Sequence, residues 1–425
     1  MKNCMLSLPA QTVIKSRKCR MRWRVNSRKF PQKNPHWLTR KLMINKNRLV
    51  KTFLELARIP GLSGKEGLVA AELARRLSRL GIKYHFDIPT RPGNKVGNLI
   101  AYIKGNAPGP ALLINAHIDT VGPIEPFGCR RRGNFLESKG QSILGADDRS
   151  GVAAILEALA HLKESGIRHG PLEIVFTVAE EIGLLGAKAL DYKLLSARHG
   201  IVLDSDSPLE PVIAAPEAYR LNFQIRGKAA HAGVAPEKGI NAIQIASRAI
   251  SRLRLGRIDF ETTANIGLIS GGSATNIVPE FAEARGEARS HNRRKLQTQI
   301  RQMRMAFRQA VREARLGTRA FAGLPRLSEE IILDYPRMRL DSQSPVLRLM
   351  KEAARTLGCK ISPKVGGGGS DANIFNAHRI ESLVIGTGME KVHTTSERLN
   401  LNQFHLGVQM LVRAIELFPS FCRSK

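Results

Sequence analysis

The feature that most constrains the fold is an alternation of short apolar runs with helix-length amphipathic ones. Asn98–Ile103, Leu112–Ala116, Leu172–Val178 and Ile201–Leu203 are apolar stretches of strand length, whereas Gly67–Leu80 and Gly151–Leu162 carry apolar residues at helical spacing. Strands covered on both faces read as continuous apolar runs, and parallel neighbours need a crossover helix. The rhythm therefore predicts an α/β fold, a mostly parallel sheet covered by helices. Around Pro208–Pro216 the pattern changes. Tyr219–Arg226 alternates like a half-exposed strand, Asn241–Leu253 reads as a helix, Ala264–Ser270 and Glu280–Arg289 as strands, and Asn292–Leu316 as an amphipathic helix. After Pro336 the first pattern resumes, with a helix over Val346–Thr356, a strand over Ser382–Ile385 and a helix over Leu401–Leu417. The expected organisation is one α/β domain in two parts, 43–211 and 336–425, with a compact α+β domain, 212–335, inserted between them.

Composition narrows the class. Of the 425 residues 43% are hydrophobic and 24% charged, which is globular usage and excludes collagen-like or wholly disordered chains. No run of 18 apolar residues is present, so no transmembrane helix is expected. The five cysteines, Cys4, Cys19, Cys129, Cys359 and Cys422, are odd in number and form no CxxC clip. They read as free thiols in a reducing compartment, and a cytoplasmic location follows as the expectation.

The net charge of +31 is unevenly spread: residues 1–45 hold twelve Lys and Arg and no acid, and the first acid is Glu55. This arm has three readings: a nucleic-acid-binding arm, a transit peptide, or an over-long start with the folded protein opening at Met43. The last is favoured, because an amphipathic helix begins directly after Met43. Residues 1–42 are thus expected to lie outside the fold. A secretory signal is not expected, since no apolar core of the required length is present. In Asn292–Leu316, Met303, Phe307 and Val311 recur at helical spacing beneath a row of arginines. A solvated outer face is the preferred reading of that row. Nucleic-acid binding rests on charge alone, with no recognised motif, and no membrane partner is expected.

Chemistry concentrates in five short clusters. His117-Ile118-Asp119 follows an apolar strand, and residues two apart on extended chain face the same way. An imidazole there can bind a metal while the carboxylate fixes its tautomer. Asp147-Asp148 precedes a helix. Asp148 suits an N-cap, which leaves Asp147 free to bridge two cations. Glu180-Glu181 ends another strand. On extended backbone the two would point apart, one able to ligate a metal and the other to take a proton from water. Asp204-Ser205-Asp206 ends a third strand, and His393 follows Ser382–Gly388. Each cluster alone has a bland reading as cap, loop or packing residue. Together, at strand ends that share one rim of a parallel sheet, two histidines and several carboxylates suit a pair of zinc or related ions.

At this point the sequence resembles the M20 metallopeptidases, and within them the peptidase T-like branch. The matching segments are NAHIDTV, ILGADDRSGVAAILEAL, FTVAEEIGLLGAKAL, VLDSD, GKAAHAG, ATNIVPE, GGGGSDAN and GMEKVHT, in order from about Met43 onward. The resemblance implies a zinc-peptidase-like catalytic domain with an inserted lid and dimerisation domain. It implies that His117 and Asp204 hold one metal, that Glu181 and His393 hold the other, and that Asp147 bridges them. It further implies that Asp119 orients His117 and that Glu180 is the general base. Arg149 stands where the family commonly has Lys, a position that is not a ligand. His231, Asn276 and Arg289 in the inserted domain match positions that contact substrate. His231 could steady an oxyanion and Arg289 could fork onto a carboxylate. Gly366–Gly369 lacks the Gly-Lys-Ser/Thr of a phosphate loop and reads instead as a close backbone approach to a ligand.

The implied function is metal-dependent hydrolysis of the amide bond of short peptides by an aminopeptidase of peptidase T type. An N-acyl amino acid deacylase or carboxypeptidase on the same fold is the alternative. The implied cofactors are two divalent ions per subunit, zinc first, with cobalt or manganese as alternatives, and the implied assembly is a homodimer.

Overall fold

The computed structural model describes residues 42–88, 96–317 and 323–421; the arm 1–41 and with it Cys4 and Cys19, as well as Cys422, lie outside the described residues. Leu42 and Ile44 are buried, and Leu42 O accepts a hydrogen bond from Gln409 Nε2, so Leu42, which the sequence reading leaves out of the fold, is part of it.

The apolar runs pair as the rhythm predicts. Leu112–His117 lies between Leu172–Thr177 and His199–Leu203, parallel to both, and Glu381–Ile385 is parallel to His199–Leu203 on the far side. Leu112–His117 and Leu172–Thr177 are buried along their whole length. That burial is why they show continuous rather than alternating hydrophobicity. Antiparallel strands flank this centre: Leu99–Ile103 and Tyr84–Phe86 on one side, Val212–Ala215 and Met338–Arg339 on the other. The Ala-rich helix Ala146–Ser165 is buried over most of its length and packs on Leu112–His117, Lys46–Ala57 and Leu401–Phe421. Arg48 on Lys46–Ala57 ties the two helices together through Glu157, at 2.6 Å, with Glu164 as its second acid.

A separate antiparallel sheet lies within the span 217–335. Its order is Gly256–Arg257, Thr262–Gly271, Phe281–Ser290, Glu217–Arg226 and Arg326–Tyr335. The helices Ala242–Ser251 and Arg293–Gly317 pack on it around Phe223 and Phe307, whose rings stack at 4.0 Å. Met303, Phe307 and Val311 face this core, as their spacing predicts. The basic outer face is partly paired: Arg304 and Arg308 reach Glu329, and Arg252 reaches Glu313 at 2.6 Å. The fold is thus α/β, a central mostly parallel sheet with an inserted α+β domain.

Three features depart from the sequence reading. Val212–Ala215, placed at the start of the inserted unit, pairs with Glu381–Ile385 in the central sheet, and the second sheet begins at Glu217. The long strand Arg326–Tyr335 was not expected; its outer positions are exposed and Glu329-Glu330 interrupts its apolar alternation. A third sheet, Met389–Glu390, Arg398–Asn400, Phe135–Ser138 and Cys129–Arg132, has strands of two to four residues, too short to show a period. Among the described residues no helix is long and apolar enough to cross a membrane.

Phe307 and Phe223 are fully buried in the inserted core. Phe307→Ala is expected to cost about 3–5 kcal/mol, through lost transfer energy and a cavity. Urea unfolding, followed by far-ultraviolet circular dichroism, measures it.

Candidate metal centre

The strand Leu112–His117 carries His117 to its C-terminal end, where the side chain is almost wholly enclosed. Its Nε2 lies 3.0 Å from Asp147 Oδ1, and its Nδ1 lies 3.1 Å from Asp119 O and 3.4 Å from Asp119 Oδ1. Asp119 does more than face His117. Its carboxylate accepts from Ser63 Oγ at 2.6 Å and from the backbone N–H groups of Glu180 and Glu181 at 3.0 and 3.2 Å. One buried carboxylate therefore fixes the imidazole and the turn that carries the glutamate pair.

That turn is not extended chain. The strand stops at Thr177 and Ala179 adopts a left-handed conformation, φ 52°, so the chain bends before Glu180. Strand alternation therefore does not set the directions of the two glutamates. Glu180 is buried, while Glu181 is half-buried with its carboxylate 2.9 Å from His393 Nε2.

Asp147 and His393 reach the rim by routes other than a central strand end, which corrects the expectation for those two clusters. Asp147 follows the loop after Phe135–Ser138, and His393, at φ 62°, follows the small-sheet strand Met389–Glu390. Asp147 and Asp148 have non-helical backbone and kink the start of Ala146–Ser165, so Asp148 caps the regular helical run that follows it: its Oδ1 accepts from Gly151 N at 3.0 Å, and its Oδ2 accepts from His117 N at 3.3 Å. Asp147 is left to face both histidines, with Oδ1 on His117 and Oδ2 3.2 Å from His393 Nε2. Donor atoms of His117, Asp147 and Asp204 lie within 4.8 Å of one another, and so do those of Asp147, Glu181 and His393. The two triads share Asp147. Asp206 turns away to Lys364 and to Ser207 N.

The electrostatics are those of crowded, dehydrated acids. Burial and the neighbouring acids Asp204 and Asp371 push Glu180 well above the carboxylate range. Burial, Asp147 and Glu181 do the same to Asp204. Burial opposes ionisation of Asp147, but the imidazoles of His117 and His393 hold it well below its ordinary value. His393 is pushed up to about 10 by its hydrogen bonds to Asp147 and Glu181. Burial alone would lower His117, and Asp119 and Asp147 hold it well above its ordinary value. Three converging carboxylates and two imidazoles, in two triads with one member in common, form a donor set that fits a pair of divalent ions of the N- and O-binding kind.

The inserted-domain residues are not joined to this cluster. His231 and Asn276 are exposed neighbours: Ala232 N donates to Asn276 O at 2.9 Å. His231 Nδ1 accepts from Gly233 N and Val234 N, both at 3.2 Å, which leaves Nε2 as the N–H donor. Neither makes a hydrogen bond or ion pair to the seven clustered residues. Arg289 is half-buried, bonded to Glu287 at 2.7 Å, beside the loop Gly366–Gly369.

Supporting residues escaped the sequence reading. Glu397 is fully buried and accepts from Leu144 N and Gly145 N at 2.7 Å and from Asp147 N at 3.0 Å. Asp371 is fully buried and held by Thr177 Oγ1, next to His117 in the sheet register, and burial pushes it up to about 6. Glu66 accepts from Ala179 N at 3.0 Å. Only spacing could have pointed to them: Glu397 lies four residues past His393 and Asp371 two residues past the glycine run.

Fold and site together define a metallohydrolase, and comparison with known proteins makes the class specific. The profile of peptidase family M20/M25/M40 matches residues 113–417, and the chain belongs to that family. It is 40% identical over 88% of its length, and 99% of the relative's, to "Uncharacterized protein YqjE" of Bacillus subtilis (strain 168). Among solved structures it is similar to aminopeptidase PepT from Bacillus cereus ATCC 10987, with TM-score 0.75, 38% identity and coverage of 88% and 98% of the two chains. It is similar also to a tripeptidase from Staphylococcus aureus subsp. aureus Mu50, with TM-score 0.80, 36% identity and coverage of 89% and 100%. The chain is a peptide-bond hydrolase of the M20 metallopeptidase type, in the peptidase T-like branch.

Glu397→Ala would leave three buried N–H groups of the loop 144–147 without acceptors. Each such group costs about 1–3 kcal/mol, so the variant is expected to lose at least about 3 kcal/mol of stability and to retain divalent metal less well. Thermal melting and metal analysis after dialysis check both.

Proposed function

We propose that the chain is a dinuclear metal-dependent aminopeptidase of short peptides, of peptidase T type. The observation that carries this reading is Asp147, whose two carboxylate oxygens face His117 and His393 and which belongs to both donor triads. In this reading His117 and Asp204 hold one ion, Glu181 and His393 the other, and Asp147 bridges. Two divalent ions bound there would polarise the scissile carbonyl and lower the pKa of a bridging water. Zinc suits the mixed imidazole and carboxylate set, with cobalt or manganese as substitutes.

The protein's own groups do the rest. Asp119 fixes the His117 tautomer and the position of the glutamate turn. Glu180, not needed as a ligand, takes the proton from the attacking water and delivers it to the leaving amine nitrogen. The raised Glu180 pKa supports such a proton-holding role. His231, through Nε2–H, and Asn276 are proposed to steady the oxyanion, and Arg289 a substrate carboxylate. Because His231 is exposed and unconnected to its own centre, the reading includes a homodimer in which one subunit's His231 serves the other. Exposed Leu268, Ile269 and Val234 on the same domain support that pairing. Two relatives named "Probable carboxypeptidase", from strains of Paracoccidioides brasiliensis, are 30% identical over 57% of this chain. They favour the second reading, a carboxypeptidase or N-acyl amino acid deacylase. The free thiols Cys129 and Cys359 support a cytoplasmic location.

A panel of di-, tri- and N-blocked peptides with zinc, cobalt or manganese decides between the readings by which bond breaks. Chelation is expected to abolish turnover and metal addition to restore it. Glu180→Gln should lower kcat by ~10²–10⁴ with metal content intact, whereas Glu181→Gln should lower metal content. Mixing His231→Ala with Glu180→Gln under subunit exchange should restore activity, because one site in each mixed dimer then has both groups. Continued inactivity after proven exchange would contradict the action of His231 across the dimer.

A further inference from the structure

A cavity of about 1050 Å³ lies between the inserted domain and the central sheet, and its charge is one-sided. Arg257, Arg289, Arg337 and Arg339 line it, against two acids. Both acids are engaged elsewhere: Glu261 pairs with Lys295 at 2.7 Å, and Asp341 accepts from Gln343 N at 2.7 Å. Among the described residues Arg257, Arg337 and Arg339 form no ion pair with any acid. The Arg289 Nε is enclosed and has no hydrogen-bond partner, although its Nη2 is held by Glu287. An enclosed guanidinium donor without an acceptor is costly unless a ligand supplies one.

The framework around these arginines is fixed. His291 Nε2 donates to Gly366 O at 2.9 Å, and Arg337 Nη1 donates to His291 O at 3.0 Å. The wall they form continues along Gly366–Gly369 into Asp371, which Thr177 Oγ1 binds, and Thr177 is paired with His117 in the sheet. The cavity and the metal centre are therefore joined by one short stretch of chain. Gly369 is packed against the Tyr335 ring, with Tyr335 Oη accepting from Gly369 N at 3.1 Å, so the stretch is braced.

Resting on the peptidase reading above, we propose that this cavity is a carboxylate subsite which makes the enzyme prefer peptides with an acidic residue downstream of the scissile bond. The guanidiniums offer paired N–H groups in the planar fork that a carboxylate accepts bidentately. A lysine side chain would meet like charge there. Arg257, Arg337 and Arg339 sit at the solvent side of the cavity, so the attraction is screened by salt.

The test uses full-length, metal-loaded protein and the tripeptides Ala-Ala-Glu, Ala-Ala-Ala and Ala-Ala-Lys, each as free acid and as C-terminal amide. Ala-Ala-Glu is expected to show kcat/KM about tenfold above Ala-Ala-Ala, with Ala-Ala-Lys below both, and the gap should shrink as salt rises. The amides separate the terminal carboxylate from the side chain: a preference for Glu that persists in the amide assigns the subsite to the side chain. In the double variant Arg337→Ala/Arg339→Ala the Glu-to-Ala ratio should fall towards one. Equal kcat/KM for the three peptides, or a ratio unchanged in the double variant, overturns the proposal while leaving peptide hydrolysis intact. If no tripeptide is cut, the peptidase reading fails instead. Calorimetric binding of the same peptides to Glu180→Gln then still decides the cavity: tighter binding of Ala-Ala-Glu that is lost with Arg337 and Arg339 supports it, and charge-independent binding overturns it.

Discussion

The site depends on one carboxylate being held between two imidazoles. Asp147 contacts His117 through one oxygen and His393 through the other, and those histidines come from segments more than 270 residues apart in the chain. Nothing local keeps a buried aspartate there. Its loop is held from behind by Glu397, its neighbour Asp148 caps the helical run that follows the kink, and the two histidines keep it charged. The parallel sheet supplies the rest by ending its strands at His117, Thr177 and Leu203 on a common rim, where open α/β sheets place their ligands. Asp119 then welds the first of these strand ends to the turn after the second.

Much of this was legible in the sequence because the responsible signals are local. The fully buried strands announce themselves as apolar runs, the helix Arg293–Gly317 by its spacing of Met303, Phe307 and Val311, and the clusters at His117, Glu180-Glu181 and Asp204 by standing where those runs end. What was not legible depends on distant partners. Val212–Ala215 joins the central sheet through Glu381–Ile385 and pairs further with Met338–Arg339 and Lys364–Val365, all distant in sequence, and Arg326–Tyr335 is a strand because Glu217–Arg226 pairs with it. Glu397 and Asp371 carry no composition signal; their importance is the set of donors that folding brings to them. The bend at Ala179 was not legible either: Glu180 and Glu181 follow a left-handed residue and not the extended chain that the apolar run suggests.

The positive charge of the chain finds structural employment in part. Arg304 and Arg308 close on Glu329 across the helix and the edge strand, and Arg252 closes on Glu313. Exposed pairs of this kind contribute little stability each. Three of the arginines around the interdomain cavity, Arg257, Arg337 and Arg339, are different, since among the described residues they pair with no acid. This contrast separates charge that the fold consumes from charge left available to a substrate.

Metal stoichiometry tests the account most directly. Metal-free protein titrated with zinc should bind two ions per chain, and Asp147→Asn should lose high-affinity binding of both, because the shared bridge belongs to each triad. A single ion per chain in the wild type, or two ions retained at unchanged affinity in Asp147→Asn, would contradict the shared-bridge centre.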